Sequence, residues 1–409
     1  MRSFSLDKSK IKVLLLEGIH ENAALYLGEN GYTDVECLNG ALSGDELEKK
    51  LQSTHIIGIR SRTELRKSQL IKTPKLFAIG CFSIGTNQVD IQDAKMLGIP
   101  VFNAPFSNTR SVAELVIAEI IMLMRGIPEK NALAHNKIWM KSFNNSVEVR
   151  GKNLGIIGYG HIGSQVSILA ENLGMNIFYY DIEKKLSLGN SRPVSSLNEL
   201  LKISDTITIH VPLTDLTRNM ISKEQITLMK NGACLINASR GDVIDYKAVA
   251  DGLRLKQLSG VAADVFPGEP SSNDKPFEND LQEFNNVILT PHIAGSTLEA
   301  LANIGTEVAE KLVRYSDTGS TIGAVNFVEI ALQANASKQR FLHIHKNVPG
   351  VLGEINHYFS SRGINISAEY LQTDPDIGYV ILETESELDA SVLKDLKNIP
   401  HTIRVRILY

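Results

Sequence analysis

A glycine-rich turn in the middle of the chain constrains the fold most. Gly158-Tyr159-Gly160-His161-Ile162-Gly163 has the spacing GxGxxG, and the apolar run Leu154–Ile157 precedes it. A stretch with helical spacing, Ser164–Leu173, follows, and Asp181 comes 18 residues after Gly163 at the end of the next apolar run. This order of strand, glycine turn, helix, strand and acid is typical of a dinucleotide-binding βαβ unit.

Each residue of this motif has a physical role in holding a dinucleotide. Gly158 permits the tight turn, Gly160 lets the backbone approach a pyrophosphate, and Gly163 lets helix and strand pack closely. The N–H groups at the helix N-terminus attract the phosphates. Asp181 would accept hydrogen bonds from both ribose hydroxyls and repel a 2′-phosphate, which predicts NAD rather than NADP. The alternative is a tight turn followed by a surface acid.

The glycine turn lies in a longer series of short apolar runs separated by helical spacers. Such a series predicts an α/β fold with a doubly wound parallel sheet. The apolar stretch Val112–Arg125 before it predicts a helix that is buried or packed between subunits. The six candidate strands are Leu154–Gly158, Asn176–Tyr180, Thr206–His210, Ala233–Asn237, Gly260–Asp264 and Val287–Leu289.

Two further patterns flank this series. Near the start, short apolar runs again alternate with helical stretches, and the later helical stretch Thr297–Tyr315 could pack against them. After the polar segment Asn335–Ser337, the pattern becomes β-α-β-β-α-β, the ferredoxin-like order. The early strands are Lys12–Leu16, His55–Ile59, Leu76–Ile79 and Val101–Phe102. The late elements are Phe341–Ile344, Gly350–Ser361, Ile364–Leu371, Tyr379–Thr384, Ala390–Lys397 and Thr402–Leu408.

Composition removes several classes of partner. The 409 residues hold 42 Lys and Arg against 46 Asp and Glu, a net charge of −4 that offers no general attraction to nucleic acid. Cys37, Cys81 and Cys234 lack the spacing of a metal site or a disulfide framework, so we expect no metal. No apolar run has the length of a signal peptide or a membrane span. We expect a cytoplasmic protein without a membrane partner.

Three residues that follow apolar strands carry candidate chemistry, because ligands of open α/β sheets bind at that edge. Arg240 could hold a substrate carboxylate in a planar, two-pronged pair. Glu269 could face one nitrogen of His292, which would fix the tautomer and make the imidazole more basic for proton exchange with a hydroxyl or carbonyl. The alternatives are a surface arginine, a structural histidine and a solvated acid.

The stretch Arg60-Ser61-Arg62 places two cations around a hydroxyl at the end of an early strand. Such a cluster suits a phosphate or carboxylate. The polar, turn-rich stretch Asn103–Arg110 could line the same site. A solvated rim is the alternative for both.

Together these motifs resemble the D-isomer-specific 2-hydroxyacid dehydrogenases that carry a C-terminal ACT domain, and the similarity covers nearly the whole chain. It implies a discontinuous, flavodoxin-like substrate-binding domain (1–107 and 298–330), an NAD-binding Rossmann domain (108–297) and a ferredoxin-like ACT domain (338–409). The segments that carry it are Arg60-Ser61-Arg62, Ala78–Asp90, Gly98–Glu114, Leu154–Gly163, Leu235–Gly241, Asp264–Pro270 and Leu289–Thr297.

The resemblance also implies a reaction: oxidation of 3-phospho-D-glycerate to 3-phosphohydroxypyruvate, which opens a route to L-serine. Arg240 would bind the carboxylate, His292 would take the hydroxyl proton, and Glu269 would orient the imidazole. The implied substrate contacts are Arg60, Ser61, Arg62, Asn108, Trp139 and Lys141. The cofactor positions from the motif and the resemblance are Gly158, Gly160, His161, Ile162, Gly163, Asp181, Ala238, Ser239, Asp264 and Gly295.

An ACT domain typically binds an amino acid between paired copies. The resemblance therefore implies that His345, Asn347 and Asn365 hold L-serine as a feedback inhibitor, and that the chain forms a homotetramer. Two alternatives stay open at this point. One is a dehydrogenase for another D-2-hydroxyacid, with 2-oxoglutarate reduction as a possible activity, and the other is a non-catalytic NAD-sensing corepressor.

Overall fold

The computed structural model describes residues 6–270, 274–333, 339–385 and 391–408. The chain divides into two compact units, Met1–Ser107 with Leu301–Tyr409, and Asn108–Ala300. The predicted linker Asn335–Ser337 and Ala390, the first residue of a predicted helix, lie outside the described residues. The three domain boundaries expected from the sequence stay predictions.

The first unit opens with a five-stranded parallel sheet in the order β2-β1-β3-β4-β5, which is the flavodoxin-like order. Its strands lie within two residues of the early predicted strands except for β2, which was not predicted. The elements are β1 (Val13–Leu15), α1 (Glu21–Glu29), β2 (Val35–Cys37), α2 (Gly44–Leu51), β3 (Ile56–Ile59), α3 (Lys67–Leu70), β4 (Ala78–Cys81), α4 (Ile91–Met96) and β5 (Val101–Phe102).

The second unit is a seven-stranded parallel sheet in the order β12-β11-β10-β9-β6-β7-β8. The strand order reverses at β6, the strand that precedes the glycine turn. Open α/β sheets bind ligands at such a switch point, at the carboxyl ends of the strands. The elements are α5 (Thr109–Met124), α6 (Ile127–His135), β6 (Asn153–Ile157), α7 (His161–Asn172), β7 (Asn176–Tyr180), β8 (Arg192–Pro193), α8 (Leu197–Ile203), β9 (Thr206–Ile209), α9 (Lys223–Leu228), β10 (Ala233–Asn237), α10 (Tyr246–Arg254), β11 (Leu258–Ala263) and β12 (Val287–Leu289).

Helix α5 is the apolar helix expected from the sequence. Val112, Val116 and Ile120 are buried in the same core as Leu154 and Ile156 of β6. Among the described residues, no helix is both long enough and apolar enough to cross a bilayer.

The first unit also contains most of a long helix, α11 (Leu298–Thr318), and an antiparallel sheet. Val308 and Leu312 of the long helix are so close to Gly80 of β4 that a Cβ there would lie 2.8 and 2.9 Å from their methyl carbons. The last sheet is antiparallel, in the order β14-β15-β13-β16, as the ferredoxin-like prediction requires. The elements are α11 (Leu298–Thr318), β13 (Gln339–Lys346), α12 (Val351–Ser360), β14 (Ile366–Thr373), β15 (Ile377–Thr384), α13 (Ser391–Lys397) and β16 (Thr402–Leu408).

Candidate active site

The glycine turn has the geometry that its sequence predicts. Gly158 lies at φ 88°, and a Cβ there would collide with the carbonyl oxygen of His210. A Cβ on Gly163 would collide with the carbonyl of Gly158, whereas a Cβ on Gly160 would meet nothing within 4 Å. Two glycines are therefore required by close packing, and the third leaves open space beside the start of α7, where a pyrophosphate would approach.

Asp181 comes directly after β7 and is hydrogen-bonded to the glycine turn. Its carboxylate accepts hydrogen bonds from the N–H of Tyr159 at 2.8 Å and of Glu183 at 2.9 Å. Each oxygen keeps a further lone pair, so the carboxylate can still accept from a ribose. The N–H donors at the start of α7, the open space at Gly160 and the acid at the end of β7 together fit a dinucleotide.

Three neighbouring strands of the same sheet carry the candidate catalytic residues. Arg240 follows β10, Glu269 lies in the loop after β11, and His292 follows β12. His292 Nδ1 lies 2.7 Å from Glu269 Oε2, and both side chains are partly exposed, at 52% and 34%. The structure thus joins two residues that are 23 positions apart in the sequence.

Electrostatics tune this pair toward proton exchange. The hydrogen bond that His292 donates to Glu269 is the largest influence on His292 and raises the pKa of the imidazole, although burial and the charge of Arg240 oppose it. Burial alone would raise the pKa of the Glu269 carboxyl, but hydrogen bonds from His292 and from the N–H of Phe266 outweigh it and lower this pKa. Glu269 is therefore ionised at neutral pH, and His292 binds a proton more readily than a free histidine.

The backbone around His292 is fixed by Asp264. His292 lies at φ 54°, and its N–H donates to the carbonyl of Asp264 at 2.8 Å. The buried Asp264 carboxylate accepts from the N–H groups of Ile293 and Ala294, both at 2.8 Å, and from Thr290 Oγ1 at 2.6 Å. Asp264 therefore holds the His292 loop in place, and its predicted contact with the cofactor stays a prediction.

Arg240 is held by a residue that sequence reasoning missed. Asn237, the last residue of β10, donates from Nδ2 to the carbonyl of Arg240 at 3.0 Å, and its Oδ1 accepts from the N–H of Ser239 at 3.1 Å. Arg240 Nη1 donates to the carbonyl of Ser239 at 2.6 Å. A polar amide at the end of the apolar run Leu235–Ile236 was the signal that could have identified Asn237.

Gly295 and Asn108 are also neighbours in the second unit. A Cβ on Gly295 would collide with Asn108 Nδ2, so a larger residue here would displace the Asn108 side chain. Asn108 is 8% exposed, and its Oδ1 has no hydrogen-bond partner among the described residues. An acceptor held beside the glycine suits a ligand contact, and the predicted substrate role of Asn108 stays a prediction.

The other predicted site residues lie in separate places. Arg60, Ser61 and Arg62 follow β3 in the first unit, whereas Trp139 and Lys141 lie in the segment after α6, with Trp139 89% exposed. His161 and Ile162 begin α7, and Ala238 and Ser239 follow β10. These positions are at strand ends, in loops or in the first turn of a helix, where binding residues are expected.

The residues predicted to hold L-serine lie at opposite ends of the antiparallel sheet, His345 and Asn347 where β13 ends beside the start of β15, and Asn365 where β14 begins beside the end of β15. His345 is buried, its Nδ1 lies 2.8 Å from the carbonyl of Lys346, and its Nε2 has no hydrogen-bond partner among the described residues. Asn347 donates from Nδ2 to the carbonyl of Asp374 at 2.6 Å, and Asn365 is exposed just before β14. Their role in binding an effector stays a prediction.

Comparisons with known proteins identify the class. Residues 117–294 match the family "D-isomer specific 2-hydroxyacid dehydrogenase, NAD binding domain", and residues 341–404 match an "AHAS small subunit-like ACT domain". Among solved structures, a D-lactate dehydrogenase from Aquifex aeolicus, complexed with NAD and lactic acid, is 30% identical with a TM-score of 0.64. The similarity covers 74% of this chain and 95% of that one. The chain belongs to the D-isomer specific 2-hydroxyacid dehydrogenase family.

Within this family, several relatives match along the whole chain. Proteins named D-3-phosphoglycerate dehydrogenase from Haemophilus influenzae and from Escherichia coli K12 are each 54% identical, and the similarity covers at least 99% of both chains. A protein of the same name from Dictyostelium discoideum is 47% identical over 99% of both chains. The predicted fold class, the NAD cofactor and the assignment as an NAD-dependent oxidoreductase are confirmed.

Proposed function

We propose that this protein catalyses the NAD-dependent oxidation of 3-phospho-D-glycerate to 3-phosphohydroxypyruvate. The observation that carries the chemistry is the His292–Glu269 pair beside Arg240, on the carboxyl edge of a sheet built to hold a dinucleotide. The choice of a phosphorylated substrate is supported by the names of the full-length relatives.

His292 is the proton acceptor in this proposal. Because Glu269 accepts the Nδ1 hydrogen of the imidazole, Nε2 carries the free lone pair and can take the C2 hydroxyl proton of the substrate. NAD, when held at the glycine turn, would supply the acceptor for the hydride that leaves the same carbon. The imidazolium that forms is stabilised by the Glu269 carboxylate, which is ionised at neutral pH.

Arg240 binds the substrate carboxylate and keeps C2 next to His292. Its guanidinium can pair with both carboxylate oxygens, and the positive charge draws electron density from the adjacent C2 centre. Asn237 fixes the backbone from which the guanidinium extends. Holding the reacting groups in register supplies a large part of the rate in reactions of this kind.

The phosphate is recognised by Arg60, Ser61 and Arg62, with Asn108, Trp139 and Lys141 as further substrate contacts. Two guanidinium groups and a hydroxyl provide the charge and the donors that a phosphate requires. A substrate without a phosphate would use this cluster poorly, so the cluster separates phosphoglycerate from other 2-hydroxy acids.

The test is a steady-state assay of NADH formation from 3-phosphoglycerate, and of NADH consumption with 3-phosphohydroxypyruvate and 2-oxoglutarate. We expect turnover in both directions, and Arg60→Met should reduce kcat/KM for the phosphorylated substrate by about tenfold or more relative to 2-oxoglutarate. Arg254→Met is the matched control, because Arg254 is an exposed arginine paired with Glu283 and Asp251. Turnover of unphosphorylated acids alone, or no turnover, would contradict the proposal.

Regulation and assembly are proposed on the same basis. Paired copies of the C-terminal domain bind L-serine between them through His345, Asn347 and Asn365, and the binding lowers turnover. The chain assembles as a homotetramer and works in the cytoplasm. Free Cys37, Cys81 and Cys234 suit a reducing compartment. Inhibition assays with serine and light scattering of the purified protein test these two points, and full activity in millimolar serine or a monomer in solution would contradict them.

A further inference from the structure

Four consecutive backbone N–H groups converge on one buried carboxylate in the first unit. The N–H groups of Arg60 and Thr63 donate to Oε1 of Glu17 at 3.2 and 2.8 Å. Those of Ser61 and Arg62 donate to Oε2 at 3.1 and 2.9 Å. Glu17 is 3% exposed, so both of its oxygens are satisfied by the loop rather than by water.

This arrangement is an anion site occupied by the protein's own anion. Successive N–H groups that point to one side of a turn form a concave nest, and nests bind phosphates and other anions. Burial would raise the pKa of the Glu17 carboxyl, but the hydrogen bonds from Thr63, Arg62 and Arg60 outweigh it and lower this pKa. The carboxylate is therefore charged when the loop binds it, and hydrogen bonds to a charged group are the stronger kind.

The backbone of Glu17 has a strained conformation where its side chain meets the loop of residues 60–63. Glu17 lies two residues after the end of β1 at φ 66°, a conformation that residues with a side chain rarely adopt. Its own N–H donates to the carbonyl of Gly40 at 3.1 Å. Strain of this kind persists where the surrounding contacts fix the conformation, and it often accompanies functional sites.

Glu17 also contacts the guanidinium groups of Arg60 and Arg62. Arg60 Nη1 lies 3.5 Å from the Glu17 carbonyl oxygen, and Arg62 Nε lies 3.7 Å from Oε2. From the other side, Gln88 Nε2 donates to the carbonyl of Arg60. The Arg62 side chain stays 57% exposed. The buried Glu17 carboxylate therefore holds the loop backbone from the protein interior, while the Arg62 guanidinium remains accessible to a ligand.

We propose that Glu17 is a positioning residue for substrate recognition: its buried carboxylate, bonded to four backbone N–H groups, sets the Arg60–Arg62 loop so that its cations bind the anionic group of the substrate. This inference rests on the proposed function, because it assumes that the loop binds substrate. Glu17 touches neither the reacting atoms nor NAD in this account. Its effect therefore falls on substrate binding.

The test is Glu17→Gln, which keeps the shape of the side chain. A glutamine accepts through one oxygen only, and its NH₂ group would face two N–H donors. We expect KM for 3-phosphohydroxypyruvate to rise by at least about tenfold while kcat stays within about threefold. NADH affinity, measured by fluorescence titration, should not change. Hydrogen exchange of the four amides at 60–63, followed by mass spectrometry, should accelerate by about tenfold or more.

Matched variants separate positioning from simple loss of stability. Asp317→Asn removes another carboxylate of the same unit, which accepts from Tyr32 and Lys8, and should leave both KM and exchange at 60–63 unchanged. Glu17→Asp keeps the charge on a shorter chain and should recover part of the KM. If Glu17→Gln does not fold, Gln88→Ala loosens the same loop from the other side and should raise KM and exchange in the same direction.

The two readouts also separate this inference from the proposed function. If Glu17→Gln leaves hydrogen exchange at residues 60–63 unchanged, the positioning role of Glu17 is wrong, whatever the substrate of the protein. If the wild type does not turn over phosphorylated substrates, the proposed function is wrong, and the exchange measurement can still be made. Faster exchange with an unchanged KM overturns the positioning role too, because the loop would then be held without any consequence for substrate. A fall in kcat equal for all substrates, matched by Asp317→Asn, reduces Glu17 to a structural residue.

Discussion

Replacing Glu269 by glutamine tests how the candidate base is tuned. The change removes one charge and leaves the shape of the side chain and its acceptor oxygen. Hydrogen bonds to charged groups contribute about 1.5–3 kcal/mol and neutral ones about 0.5–1.5, so the pair loses roughly 1 kcal/mol before catalysis. We use the lower end of the range for charged hydrogen bonds because the His292 and Glu269 side chains are 52% and 34% exposed, and solvent screens their charges.

The loss grows when His292 takes the proton, because the imidazolium then faces an amide instead of a carboxylate. We expect kcat/KM for 3-phosphoglycerate oxidation to fall by about ten- to a hundredfold, less than the roughly 10²- to 10⁴-fold contribution of a general base, because His292 itself is kept. Glu283→Gln is the control, since Glu283 is an exposed acid paired with Arg254. Its activity should equal that of the wild type.

The pH profile gives a second readout with a definite sign. Glu269 raises the pKa of His292, so its removal lowers that pKa. Oxidation requires the neutral imidazole, and the acid limb of its kcat/KM profile should move to lower pH in Glu269→Gln. Reduction requires the imidazolium, and its activity should be lost at lower pH than in the wild type. An unshifted profile, or activity equal to that of Glu283→Gln, would refute the reasoning.

Three other changes have expected outcomes. Gly163→Ala should weaken NADH binding by about tenfold or more in fluorescence titrations, because the new methyl collides with the Gly158 carbonyl; unchanged affinity would contradict the turn geometry. Asn347→Ala should raise the serine concentration needed for half-inhibition, and an unchanged value would place the effector elsewhere. Burial raises the pKa of Glu119 to about 8, so between its ordinary value and pH 8 the folded state binds the extra proton and stability falls as pH rises. Glu119→Gln lacks that loss, and urea denaturation should show its stability relative to the wild type increasing from pH 5 to pH 8; a constant difference would contradict the assignment.

Much of the fold was predictable because its strands are apolar runs bounded by turns. The predicted bounds of Asn176–Tyr180, Ala233–Asn237 and Val287–Leu289 are those of β7, β10 and β12. The two strands that were missed, β2 and β8, lack this signal. β2 has three residues with a charged Glu36 at its centre, and β8 has two exposed residues, one of them a proline.

The candidate site was predictable where a residue follows a strand, and hidden where its partners are distant. Arg240, Glu269 and His292 follow neighbouring strands, so the sheet brings them together. The contact of Glu17 with the Arg60–Thr63 loop joins the ends of β1 and β3, and nothing in an isolated acid beside a glycine indicates it. The hold of Asp264 on the His292 loop was likewise hidden in the sequence, and its predicted contact with the cofactor stays a prediction.

The most direct test of the account is a crystal structure of the protein with NADH and 3-phosphoglycerate, a pair that cannot exchange a hydride. We predict the nicotinamide ring beside the substrate, with His292 Nε2 within about 3 Å of the C2 oxygen and two of the Arg240 guanidinium nitrogens on the carboxylate. A substrate bound with its C2 oxygen turned away from His292, or a coenzyme away from the Gly158–Gly163 turn, would contradict it.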